Sequence, residues 1–173
     1  RTVVETLRNA EKDKSVVAIV LRVDSPGGSA AASDVIWHEI KRVEKPIVAS
    51  MGDTAASGGY YIAMGCDKVF AEPGTLTGSI GVVGGKLAVG QLLDKVGVST
   101  EIVSRGKNSG IFSTESKFSD SERQVWMQSM QETYRQFVAK AAESRSIDVD
   151  RMQALAGGRL WTGRQAQANG LVD

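Results

Sequence analysis

Residues 54–65 read TAASGGYYIAMG, and Ser57 is the residue in them that could do covalent chemistry. It stands after two alanines and before two glycines, and an apolar, aromatic stretch follows as at the start of a buried helix. A serine so placed is either a packing residue or a nucleophile, and a nucleophile needs a base to take its proton. The chain has one histidine, His38, in the helical-looking stretch VIWHEIKR beside Glu39. A histidine there reads as a surface or half-buried helix residue, so a Ser-His-Asp triad is not expected. One histidine and one cysteine, Cys66, do not make a typical zinc set either. Lysine remains. Its amine is protonated at neutral pH, with a pKa of ~10.4, but burial disfavours the charge and frees the amine to accept a proton. A Ser-Lys dyad is therefore chemically open to this sequence.

Attack on a peptide bond also needs pre-positioned N–H donors for the oxyanion. DSPGGS at 24–29 follows an apolar run, and Gly27 and Gly28 allow close backbone approach. Their amides, with that of Gly58 after Ser57, can form such a hole. PGG alone reads as a strand-to-helix turn with Ser29 near the cap. PGG after one buried strand and ASGG after the next is a more specific pair.

Those segments must be positioned by their neighbours. Val4, Leu7 and Ala10 give the opening a helical face. VVAIVLRVDS is a continuous Val- and Ile-rich run, which predicts a strand buried on both faces. Ala32, Ile36, Ile40 and Val43 predict a helix that ends before Pro46, and PIVASMGD predicts a second buried strand. ASGGYYIAMG reads as a turn and short helix, DKVFAEP as a third strand, TLTGSIGVVGG as a Gly-rich loop or extended piece, LAVGQLLDKVG as a helix and STEIVSRG as a fourth strand. Strands alternating with helices imply an α/β fold with a largely parallel sheet, and PGG and ASGG then share its carboxyl edge, where ligands collect.

The remainder is helical. Ser119 and Glu122 form a capping-box pattern before a long helix with Trp126, Met130, Tyr134, Phe137, Val138 and Ala141 on one face, a packing or subunit-contact stripe. A shorter helix around Met152 and Leu155 ends at Gly157. Thr162 and Gln165 cap a last helix that Gly170 ends. No linker or repeat interrupts residues 1–173, so one domain is expected.

Composition bounds the partners. The 173 residues are 42% apolar and 24% charged, ordinary for a soluble domain. A net charge of +1 gives no reason to expect nucleic acid or an anionic membrane. No run approaches the ~20 apolar residues of a membrane span. The first residues, RTVVETLRNAEK, lack a methionine and read as the inside of a helix, so the chain is expected to be a piece of a longer protein. Cys66 reads as a buried, inert thiol.

RVDSPGGS, AASGGYYIA, TLTGSIGV and LWTGRQAQANGLVD, in that order, resemble the signal peptide peptidase A (protease IV) family from about residue 17 to the end. The resemblance implies a ClpP/crotonase-like α/β fold, no cofactor, assembly into rings, and a serine peptidase. Its parent would be membrane-associated, extracytoplasmic in bacteria or thylakoid in a plant or cyanobacterial homologue, and would degrade cleaved signal peptides. It implies Ser57 as nucleophile and Gly27 and Gly28 as oxyanion-hole residues. Single-domain members carry the lysine three positions beyond the glycine that matches Gly106, and here that position is Ser109. In the long, duplicated form the serine lies in the carboxyl-terminal half and the lysine in the amino-terminal half, and this chain resembles the carboxyl-terminal half.

Three answers to the base follow. It lies on an amino-terminal half outside this chain; or Lys107 serves after a local shift of its loop; or the copy is not catalytic. Lys86, in GGKLAVG, carries less weight. Two other function classes stay open: an acyl-CoA-handling crotonase-like enzyme, against which the lack of acidic residues beside PGG other than Asp24 weighs, and a non-catalytic assembly domain. As a peptidase the chain would take extended peptides with small or apolar side chains, lying as a strand beside PGG or TGSIGV.

Overall fold

The strand β2 (Ile47–Ala56) organises the sheet. In the computed structural model, which describes residues 2–173, one edge of β2 pairs in parallel with β1 (Ile19–Ser25). The other edge is shared. Its first half pairs in parallel with β3 (Lys68–Phe70) and its last three residues with β4 (Leu76–Gly78). A short antiparallel strand, β5 (Leu160–Thr162), pairs with β4. Four parallel strands and one antiparallel edge give the expected α/β architecture.

Helices cover one face. α1 (Thr2–Lys12) packs Leu7 inward and is tied by Arg8 to Glu39 of α2 (Ala30–Ile40), both guanidinium–carboxylate contacts at 2.8 Å. Ser29 caps α2, accepting the amide of Ala32. α3 (Gly58–Ala63) leaves β2 directly, with Ser57 as the only residue between them. Ile40, Met51, Tyr60, Met64, Ile80, Met152 and Leu171 are fully buried in one core. Burying an Ile or Met side chain stabilises by roughly 1.5–3 kcal/mol.

β1 departs from expectation. Val23 is buried, but Val20 is 70% exposed and Arg22 and Asp24 lie on the same open face. An apolar run does not say whether both faces find a cover, and here only one does. A second departure is STEIVSRG. Residues 99–106 form no strand, because no neighbouring strand lies beside them among the described residues. The sheet instead takes its remaining strands from the three-residue β4 and β5.

Contacts divide the chain into two compact units, 1–82 with 134–173, and 83–133. The first holds the sheet. Its end is stapled down: the Asp173 carboxylate accepts from Lys68 Nζ at 2.7 Å, Arg145 Nη1 at 2.9 Å and Val69 N at 2.9 Å. α6 (Val149–Leu155) and α7 (Gly163–Ala168) precede that end, the latter opened by the Thr162–Gln165 capping box. The second unit contains α4 (Gly90–Lys95) and the first half of α5 (Asp120–Arg145), opened by the Ser119–Glu122 capping box. Inside it Phe112 and Phe118 pack on Trp126, with ring centroids 5.8 and 5.6 Å away. The indole also lies against Gly84, where a Cβ would stand 2.9 Å from it.

Candidate active site

Ser57 sits at the sharp turn from β2 into α3 with φ 52° and ψ −119°. A non-glycine residue at positive φ costs of order 1–3 kcal/mol and persists only where its surroundings impose it. They do so here. The Ser57 amide donates to Gly78 O at 2.9 Å, and its carbonyl accepts from Tyr61 N at 2.9 Å. The turn also requires small neighbours. A Cβ on Gly58 would stand 2.5 Å from Ser33 Oγ, and one on Gly59 would stand 2.5 Å from Ser25 O. Strand, strained serine and buried helix form the turn that pushes a nucleophilic serine above a sheet edge in α/β hydrolases. The Ser57 side chain makes no capping bond to α3, so its hydroxyl is not spent on the helix.

The PGG loop folds against the same turn. Gly27 has φ +106°, and a Cβ there would stand 2.7 Å from Gly58 N and 2.8 Å from Ser57 Cβ. Gly28 N lies 3.2 Å from the place a Gly58 Cβ would occupy. Gly27, Gly28, Ser57 and Gly58, 30 positions apart in sequence, thus form one contact group. The amides of Gly28 and Gly58 find no acceptor among the described residues. The Gly27 amide donates to Ser25 Oγ at 3.2 Å, a long bond. Two open amides at the turn that carries the serine are donors of the kind an oxyanion site needs.

Behind the turn lies a polar cluster that the sequence did not disclose. The Tyr61 hydroxyl donates to Asp34 Oδ1 at 2.6 Å, and Lys140 of α5 reaches the same carboxylate oxygen. The Lys140 ammonium also stands 4.1 Å from the centroid of the Trp37 ring. Burial raises the Asp34 pKa, but the bonds from Lys140 and Tyr61 outweigh it and hold the carboxyl below its ordinary range. Burial first, then the Asp34 acceptor, push the Tyr61 phenol well above its ordinary value. His38 is occupied by Asp34 one turn earlier, with Nδ1 2.9 Å from its carbonyl and 3.3 Å from its carboxylate.

The lysines differ sharply. Lys86 has its side chain only 7% exposed, donates to Gly110 O at 3.0 Å and lies 4.6 Å from the centroid of the Phe118 ring. It is committed within its own unit. Lys107 is exposed on a turn whose next residues are pinned, Asn108 by Ser121 and Ser109 by Gly106 O. Among the described residues no group of three or more His, Cys, Asp or Glu is placed to hold a metal ion. Burial, then Asp67, push the Cys66 thiol up to about 12, out of the range of a reactive thiolate. A further strained residue escaped sequence reading: Ser79, at φ 49°, follows the carbonyl that holds Ser57. A serine after glycine in TGSIG gave no signal of its own.

The chain matches known families in sequence and in fold. Peptidase family S49 matches residues 39–173, and the Clp protease family matches residues 1–76. The chain belongs to peptidase family S49. It is 44% identical to the chloroplastic serine protease SPPA of Arabidopsis thaliana over 98% of its own length and 26% of that protein's. It is 41% identical to Protease 4 of Salmonella typhi, with 99% of this chain and 28% of the relative covered. A signal peptide peptidase candidate of Enterococcus faecium, SppA, is 39% identical over 96% of this chain and 49% of its own. The chain therefore spans about a quarter to a half of these S49 relatives. In structure it is similar to a ClpP1 mutant from Listeria monocytogenes, with a TM-score of 0.64 at 13% identity over 99% of this chain and 80% of that one. The fold is ClpP-like.

Proposed function

We propose that this S49 chain is the nucleophile-bearing part of a serine peptidase that hydrolyses cleaved signal peptides and similar apolar peptides. One observation carries the reading: Ser57 is held at positive φ between β2 and α3, beside the open amides of Gly28 and Gly58. Ser57 Oγ attacks the peptide carbonyl carbon and gives its proton to a neutral lysine amine. The tetrahedral oxyanion is held by Gly28 N–H and Gly58 N–H, and Gly27 joins them when substrate replaces its long bond to Ser25. The proton then passes to the leaving amine, and water hydrolyses the acyl-enzyme.

The base is supplied by an amino-terminal half of a longer parent protein, with Lys107 as the alternative within this chain. The short length matched in the Arabidopsis and Salmonella relatives supports a longer parent. The names of those relatives, and of the Enterococcus one, support the peptidase and signal-peptide reading. The parent is membrane-associated, works outside the cytoplasm or at the thylakoid, and acts as an assembly of several copies. No helix among the described residues is long and apolar enough to cross a membrane.

A fluorophosphonate probe tests this by labelling Ser57. The chain alone, its Lys107→Ala variant and the longer parent are compared, each with a Ser57→Ala control. Labelling of the parent alone is the expected result. Labelling of the chain that vanishes in Lys107→Ala places the base in this chain. Labelling that survives Ser57→Ala removes Ser57 from the chemistry.

A further inference from the structure

Residues 98–105, VSTEIVSR, carry a strand signal without a strand partner. Glycines at left-handed φ bracket them, Gly97 at 78° and Gly106 at 109°, and none of the eight has a positive φ. Every one is exposed, and the backbone of 99–105 makes no hydrogen bond among the described residues. The two sides of the segment differ. On the side of Val98, Thr100, Ile102 and Ser104, the Thr100 hydroxyl donates to Glu115, and Val98 and Ile102 are each 46% exposed. Ser99, Glu101, Val103 and Arg105 alternate with these along the segment; all are exposed, and Val103 is 94% exposed. Along an extended segment Glu101, Val103 and Arg105 fall at alternate positions and so share one side. An exposed strand with unpaired amides and carbonyls is a template for another strand.

Its charge pattern selects the occupant. In an antiparallel pair centred on Val103, residues whose numbers sum to the same value stand opposite one another. Two copies of this segment then place Glu101 of each across from Arg105 of the other, and Val103 across from Val103. Opposite charges directly across a ladder are favourable, and like charges unfavourable. The same patch serves both copies, as an isologous two-fold contact requires. We propose that residues 101–105 pair with the same residues of a second copy of this chain, antiparallel and centred on Val103. This gives a surface to the self-association proposed above, and does not depend on Ser57.

Sedimentation of the chain at several concentrations, with circular dichroism as the folding control, tests the register. The wild type is expected to self-associate. E101R or R105E alone sets like charges opposite one another twice, and each is expected to weaken association by about tenfold or more. The double variant E101R/R105E restores both pairs. An equimolar mixture of the two single variants is expected to associate as well, because all four arginines or glutamates then face opposite charges. V103C is expected to give a disulfide-linked dimer on mild oxidation. Two outcomes overturn the pairing but leave self-association standing: an oligomer indifferent to both charge reversals, or one that V103C does not cross-link. A folded wild type that stays monomeric at high concentration overturns the pairing. So does a monomer that floats with anionic lipid vesicles unless V103D is introduced, since the segment then serves a membrane.

Discussion

The Tyr61 hydroxyl donates to the Asp34 carboxylate at 2.6 Å, while the Tyr61 amide holds the carbonyl of Ser57 at 2.9 Å. One residue thus joins the strained turn to a charged cluster on two other helices. Asp34→Asn leaves the mostly buried Lys140 ammonium without its counter-ion and weakens the tyrosine bond. It is expected to lower stability by roughly 1–3 kcal/mol, read as a lower urea midpoint at unchanged slope. Tyr61→Phe is expected to cost less, because the Asp34–Lys140 pair remains.

Gly27→Ala tests the contact group from the other side. Its Cβ would press on Gly58 N and Ser57 Cβ at a φ that disfavours a side chain. Fluorophosphonate labelling of the parent should fall at least tenfold. Gly28→Ala, where a Cβ meets no atom within 4 Å, should be the milder of the two.

Asp173 sets an acid limit. Partial burial opposes its ionisation, but Lys68, Arg145 and the Val69 amide hold its pKa down to about 2. Its folded pKa lies below its unfolded value of 3.8. The stabilisation is therefore present above pH 4 and is lost as pH falls towards 2. It amounts to about 2 kcal/mol. Acid titration of stability should show a steeper loss in that window for the wild type than for Asp173→Asn, which should already lack it at pH 7.

Lys86→Met removes a charge and one anchor of the 106–113 loop while keeping the volume. Amide hydrogen exchange around Gly110 and Ile111 is expected to speed up, because the Gly110 carbonyl loses the Lys86 bond. Probe labelling of Ser57 in the parent should persist. Loss of that labelling in the folded parent would overturn this expectation.

Much of this was legible because short-range chemistry dictated it. In SGGYYIA at 57–63 the paired glycines mark a turn and the apolar, aromatic residues after them a short buried helix, both readable from the local pattern. The caps at Ser29, Ser119 and Thr162 are local and read directly. What escaped depends on partners far along the chain. Val20 and Val23 look alike in sequence, and only the placement of the helices buries one and not the other. Residues 98–105 have strand propensity but no ladder, because propensity does not supply a neighbour. Asp34 and Lys140 are 106 positions apart, and a capped helix residue and a helix lysine announce nothing until the fold joins them.

The bent backbone at Ser57 has a consequence beyond geometry. The β2 ladder, the Gly78 carbonyl and the first turn of α3 already fix its dihedrals in the free chain. The entropy of ordering that residue is lost when the chain folds, not when a peptide arrives. A peptide that reaches this edge therefore spends none of its binding free energy on arranging the serine backbone.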